Sequence, residues 1–285
     1  MIIDFHVHTF PEKVAVKALS KLSKSANIMP YTDGTLDCLL HSMKENSISH
    51  SVILPVATSP TQYKTINMTA AQINEKYHDQ GIISFGSLHP DNDNYKDIIN
   101  SLAKDGIKGI KLHPVFQGVY LDDIRYMRII EYACEKNMIV MVHGGMDISF
   151  PGKDYAVPSH IIPVVKKLKP DKMILAHMGA WDCWDELIPF LSECHIMLDT
   201  SFTMTPARRK NAAGEVISVD APLLSKEKFL KIARLAGIEN VFFGSDSPWT
   251  MQKESIQSIK DSGLSIEEQE FVFYRNAARL LKIDI

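Results

Sequence analysis

Ile2-Ile3-Asp4-Phe5-His6-Val7-His8 is a β-branched, apolar run that ends in two histidines one residue apart. In an extended chain, residues i and i+2 project to the same face. His6 and His8 therefore stand side by side, and Asp4, with the same parity, is expected deeper on that face. Two neutral imidazoles aimed at one point are half of a divalent-metal site. His-x-His also arises by chance in many chains, so the rest of the sequence decides what the pair means.

Seven more β-rich runs follow: Ile48–Val56, Ile82–Leu88, Ile107–His113, Met138–His143, Lys172–His177, His195–Thr200 and Asn240–Ser245. Between them lie amphipathic stretches at Pro11–Ser25, Leu36–Glu45, Tyr63–His78, Asn94–Lys104, Asp122–Glu135, Pro158–Leu168, Cys183–Ser192 and Ser225–Leu235. In Asp122–Glu135, for example, Ile124, Met127 and Ile130 recur at helical spacing. Strands alternating with helices imply right-handed crossovers and a parallel sheet. Eight such units in 285 residues predict an α/β chain folded as a (β/α)8 TIM barrel, a single domain over 1–285. A doubly wound open sheet is the competing architecture, but no Gly-x-Gly-x-x-Gly follows any strand. The last helix, Ile266–Leu281, completes the eighth unit. Ser201–Pro222 reads as the longest non-regular loop, a candidate lid carrying Arg208, Arg209 and Lys210.

The bulk composition agrees with an enzyme. Hydrophobic residues make up 45% and charged residues 23%, and the net charge of −3 gives no reason to expect nucleic acid or an anionic membrane surface. No apolar run is long enough to span a bilayer. The first strand begins at residue 2, leaving no room for a cleaved leader. Cys38, Cys134, Cys183 and Cys194 are scattered, which suits reduced thiols and a cytoplasmic location.

Barrel chemistry sits where strands end, and that is where the histidines collect. His6 and His8 end run one, His89 follows run three, His113 ends run four, His143 ends run five and His177 ends run six. Run eight leads into Gly244-Ser245-Asp246-Ser247-Pro248-Trp249. The remaining histidines, His41, His50, His78, His160 and His195, receive no role. His6, His8, His143 and Asp246 together make a shell of three imidazoles and one carboxylate. That set suits one divalent transition metal, Zn²⁺ first, with Mn²⁺, Fe²⁺ or Co²⁺ also admitted. His177 is placed for substrate rather than for the ion.

The order of these residues resembles the amidohydrolase superfamily: His-x-His after strand one, a histidine after strands five and six, and an aspartate after strand eight. Gly109-Ile-Lys-Leu-His-Pro114, Ala176-His-Met-Gly179, Gly244-Ser-Asp-Ser-Pro-Trp249 and Asn276-Ala-Ala-Arg-Leu280 look more narrowly like its amidohydrolase-related branch. That branch includes aminocarboxymuconate-semialdehyde decarboxylase, γ-resorcylate decarboxylase and 2-pyrone-4,6-dicarboxylate lactonase. The resemblance implies that His6, His8, His143 and Asp246 hold the metal, while His177 and Asp246 handle substrate and protons. It also implies a small-molecule substrate and, by family habit, a homodimer.

Several residues keep two readings. Lys111 either pairs with a barrel carboxylate or a substrate anion, or is carboxylated and bridges two ions, as in binuclear members of the superfamily. His113 is a substrate contact or a rim hydrogen-bonder. Asp4 and Asp199 either orient a ligand imidazole or serve packing. Arg208 and Arg209 clamp a substrate carboxylate or are merely solvated. Trp249, Phe116 and Phe202 wall a planar substrate or pack on neighbours. Gly144-Gly145 lets backbone approach metal or substrate, or answers turn geometry. The leading expectation is a metal-dependent hydrolase of a lactone, ester or amide of a small, carboxylated substrate. In it Asp246 takes a proton from water and His177 polarises the carbonyl. The alternatives are decarboxylation of a planar acid at the same site and a barrel that binds metal or ligand without turnover.

Overall fold

Every one of the eight β-rich runs contributes to a strand. In chain order the strands are β1 (Ile3–Val7), β2 (His50–Ile53), β3 (Ile82–Ser84), β4 (Gly86–Ser87), β5 (Gly109–Leu112), β6 (Ile139–Val142), β7 (Met173–Leu175), β8 (Met197–Asp199), β9 (Arg208–Lys210), β10 (Val216–Ser218) and β11 (Val241–Phe242), of which β9 and β10 lie outside those runs. The structure, a computed structural model, describes residues 1–219 and 221–284. Asp220, inside the expected lid, and Ile285 lie outside it.

Parallel pairing runs β1-β2-β3 and, separately, β11-β8-β7-β6-β5-β4. The two arcs belong to one ring. Phe85 joins β3 to β4, and its N–H donates to Ile53 O at 2.9 Å. On the other side, Phe5 N–H donates to Phe243 O at 2.7 Å, Asp246 N–H to His6 O at 2.8 Å and His8 N–H to Ser247 O at 2.7 Å. These bonds set the last strand beside the first, and the fold is a (β/α)8 barrel. Ile3, Phe5, Val52, Leu54, Phe85, Ile139, Met141, Ile174, Met197 and Phe242 form one buried cluster that fills the inside of the ring. A second, larger cluster joins the outer strand faces to the helices. The helices start where the sequence supplies caps: Thr35 before Leu36–Glu45, Asp123 before Ile124–Glu135, Ser225 before Lys226–Ala236, and a Ser265/Glu268 capping box before Ile266–Glu270.

Four details depart from the sequence reading. First, β1 carries a bulge: Asp4 pairs with Ser51 but Val7 with Ile53, three steps on β1 against two on β2. The extra residue breaks the alternation. Phe5 packs inside, 6.0 Å from Phe85 and 5.2 Å from Phe242 between ring centroids, and His6 nevertheless faces the site. Asp4 is turned away, accepting from Ser245 N–H at 2.9 Å, Ser245 Oγ at 2.6 Å and Gln252 Nε2 at 2.8 Å. It is not the carboxylate behind an imidazole. Second, the segment Ser201–Pro222 holds an antiparallel hairpin, with Val216 opposite Lys210 and Ser218 opposite Arg208. Third, short helices at Pro114–Gln117 and Gln252–Lys260 are additional elements. Fourth, the final helix is interrupted by a π-helical turn at Phe271–Arg275. No helix among the described residues is long and apolar enough to cross a membrane, and the four cysteines are free and half-buried.

Candidate metal centre

The end of β1 and the loop after β11 bring three ligand-type atoms together. His6 Nε2 and His8 Nε2 are 3.2 Å apart, and Asp246 Oδ1 lies 3.4 Å from the first and 3.1 Å from the second. Ligand atoms about 2.0–2.2 Å from an ion stand roughly 3.0–3.5 Å apart across its coordination shell, so this triangle has the size of one face of such a shell. The outer nitrogens are committed elsewhere. His6 Nδ1–H donates to Asp199 Oδ2 at 2.7 Å and His8 Nδ1–H to Leu54 O at 2.9 Å. That fixes both tautomers with the Nε2 lone pair turned inward, the arrangement a metal-binding imidazole needs. Burial, reinforced by Lys111, holds His6 well below the ordinary imidazole range, so it stays neutral. Asp246 sits in the left-handed region at φ 65°, a strained position that its main-chain bond to His6 O maintains.

His143 and His177 form a second pair. His143 Nε2–H donates to Met146 O at 2.9 Å and His177 Nδ1–H to Ser201 O at 2.9 Å. The nitrogens left over, His143 Nδ1 and His177 Nε2, face each other at 3.1 Å, and neither has a proton to offer. Burial pushes His143 down to about 3 and His177 well below the usual imidazole range, which opposes placing a proton between them. Two inward lone pairs at this spacing suit a cation, and the donor set as a whole fits a divalent metal. The trio lying within 4.8 Å of one another comprises His6, His8 and Asp246; His143, the fourth expected ligand, stands with His177 beside it.

Glycine explains how these two histidines come so close. A Cβ on Gly145 (φ +92°) would lie 2.1 Å from Trp181 N, and one on Gly144 would lie 2.4 Å from Gly179 O. The loops after β6 and β7 are zipped together there, Trp181 N–H donating to Gly144 O and Met146 N–H to Trp181 O, both at 2.9 Å. The close approach the glycines serve is between these two backbones.

Lys111, fully buried on β5, places Nζ 3.4 Å from His6 Nε2. Burial lowers it to about 8, opposed by the charges of Asp199, Asp246 and Asp147, so near neutral pH it is still an ammonium. Asp199 anchors the floor. Besides His6 Nδ1–H, it accepts from His177 N–H at 2.9 Å and from Ser201 Oγ at 2.5 Å. His113 stacks between Phe116 (3.9 Å) and His143 (4.1 Å).

Above these groups opens a cavity of about 220 Å³ whose wall includes His113, Phe116, Trp181, Phe202 and Trp249. Leu22, Ala26 and Ile28, from the first helix and the turn after it, line the outer end. Arg208 and Arg209 are not part of this wall. Arg208 lies over the Tyr31 ring at 3.9 Å and donates to Pro30 O at 2.9 Å, while Arg209 pairs with Ile217 in the hairpin. The hairpin register and the Tyr31 ring take the guanidinium that the sequence offered as a clamp. His89 is likewise engaged locally, its Nδ1 accepting from Asp91 N–H at 3.2 Å. Asp147 and Ser201 belong to the site and gave no signal in the sequence. Asp147 lies beyond the strand end, and Ser201 is one of many serines. Only the contacts distinguish them.

A family model described as amidohydrolase matches residues 3–283. Comparison with curated protein sequences gives no match. Among solved structures, an uncharacterised TIM-barrel protein from Bordetella bronchiseptica is 15% identical with a TM-score of 0.71, covering 99% of this chain and 98% of that one. A 5-carboxyvanillate decarboxylase from Novosphingobium aromaticivorans with bound manganese is 13% identical, TM-score 0.69, over 99% and 97%. A probable 2-pyrone-4,6-dicarboxylic acid hydrolase from Acinetobacter baumannii is 14% identical, TM-score 0.66, over 99% of both chains. At such identities the likeness establishes the fold, and the match of the family model over nearly the whole chain establishes that this protein belongs to the amidohydrolase family.

Proposed function

We propose that this protein is a metal-dependent hydrolase of a lactone, ester or amide in a small, planar substrate bearing an acid group. His6, His8, Asp246 and His143 hold one divalent ion, zinc or manganese. The observation that carries the reading is the triangle of His6 Nε2, His8 Nε2 and Asp246 Oδ1 at 3.1–3.4 Å, with both outer imidazole nitrogens donating away from it. A divalent ion bound there would supply Lewis acidity, lowering the pKa of water towards roughly 7.

The chain's own residues do the rest. Asp246 accepts the proton of the attacking water: burial raises its pKa above the ordinary carboxylate value, partly offset by His8 and Lys111, so the proton is held and then returned to the leaving group. His177 assists as an acceptor, because Nδ1–H is spent on Ser201 O; the polarising role expected of it passes to the Lys111 ammonium. The aromatic wall excludes water and orients a flat substrate. That wall also favours a second reading, decarboxylation of a planar acid by the same groups.

A panel of lactones, esters, amides and aromatic acids, followed for product and for carbon dioxide release, tests both. Metal-dependent hydrolysis abolished in Asp246→Asn supports the first reading. Carbon dioxide release without hydrolysis replaces it with the second, and no metal-dependent turnover in the panel contradicts both.

A further inference from the structure

Asp147 is a buried carboxylate that the reaction above does not use. Its Oδ1 accepts from Ser149 N–H at 2.7 Å. Asp147 lines the cavity, and its Oδ2 lies 3.5 Å from His113 Nε2 and 3.8 Å from His143 Nε2. A carboxylate oxygen on a cavity wall can accept a hydrogen bond from a ligand that enters the cavity.

The neighbouring imidazole is set as a donor. Phe116 N–H donates to His113 Nδ1 at 3.3 Å, so the single proton of the neutral ring is on Nε2. Stacking between Phe116 and His143 at 3.9 and 4.1 Å prevents the ring from turning over. The same tautomer removes His113 from consideration as a metal ligand, although His113, His143 and Asp147 place ligand atoms within 4.8 Å of one another. What remains is a fixed N–H and a carboxylate oxygen 3.5 Å apart, both on the wall of one cavity.

We propose that Asp147 and His113 form a hydroxyl-binding subsite, separate from the metal donors, that selects substrates carrying an alcohol or phenol on the part of the molecule away from the reacting group. A hydroxyl is the small neutral group that accepts from His113 Nε2–H and donates to Asp147 Oδ2 at once. The proposal rests on the metal-dependent reading, and it adds a specificity determinant to that site.

The test is calorimetric binding of benzoate, 3- and 4-hydroxybenzoate and the matching methoxybenzoates to metal-loaded protein. In these isomers the hydroxyl is too far from the carboxylate for both to chelate one ion. At least one hydroxybenzoate is expected to bind about tenfold more tightly than benzoate, and its methoxy counterpart, which cannot donate, no more tightly than benzoate. Asp147→Asn keeps the shape of the side chain. Ser149 N–H holds the amide oxygen at the Oδ1 position, so the amide nitrogen faces the cavity as a second donor, and the hydroxyl preference is expected to vanish. Asp147→Ala is expected to lose it as well. Equal binding of hydroxylated and plain benzoate, binding of none of them, or a preference that survives in both variants overturns the proposal. Metal content measured on the same samples separates this failure from failure of the metal site: an ion retained without discrimination refutes the subsite alone.

Discussion

At the residue scale the site is a problem of proton bookkeeping. Each imidazole has one N–H, and the protein spends it on an outward acceptor: Asp199 for His6, Leu54 O for His8, Met146 O for His143 and Ser201 O for His177. What remains inward is a set of lone pairs. Asp199→Asn keeps the size of that partner but removes its charge, and it is expected to weaken metal affinity about 10- to 100-fold, measured by competition with a chelating dye; unchanged affinity would assign Asp199 to packing alone. His6, His8, Asp246, Lys111 and His113 were legible in the sequence because strand ends and parity locate them. Asp4 was misplaced by the same rule, since a one-residue bulge leaves no mark in composition. Asp147 and the displacement of Arg208 onto Tyr31 depend on loop conformation, which period-two and period-3.6 patterns do not encode.

Among the elements, strands and helices follow hydrophobic alternation so closely that Leu36–Glu45 and Pro158–Leu168 fall on the expected residues. The hairpin of β9 and β10 was not foreseen because each strand is only three residues long and its Val216 and Ile217 are exposed; its turn is held by the Asn211 side chain accepting from Ala213 N–H and Glu215 N–H. The zipped loops after β6 and β7 are the element on which the site depends most. Gly145→Ala places a methyl group against main chain that has no room to move, at a φ that alanine resists. A loss of more than about 2 kcal/mol is expected by denaturant melts, together with reduced metal content; full metal occupancy would show that His143 and His177 do not need this contact.

The caps offer an independent check. Asp123 accepts from Arg125 N–H at the start of Ile124–Glu135 and pairs with the Arg125 side chain, which holds its carboxyl down at about 2 against an ordinary 3.8. A depressed folded-state value means that the stabilisation is complete above 3.8 and is lost as the pH falls towards 2. Asp123→Ala is therefore expected to lower stability by about 1 kcal/mol at neutral pH. The gap to wild type should close on acidification between pH 4 and 2; a gap that stays constant would mean that the carboxylate's charge plays no part.

For the whole molecule, the barrel gathers candidate ligand atoms from residues as far apart as 6 and 246. On the proposed function, an ion bound there offsets the cost of gathering buried lone pairs, which would link folding to metal binding. Stripping the ion with a chelator is expected to remove about 2.7 kcal/mol if the metal stood at a hundred times its Kd, a drop of roughly 5–10 °C in Tm; an unchanged Tm would separate folding from the ion. Elemental analysis of purified wild type and of His6→Ala puts the central claim to its most direct test. The account predicts close to one transition-metal ion per wild-type chain and a small fraction of that in the variant, and equal metal in both would contradict it.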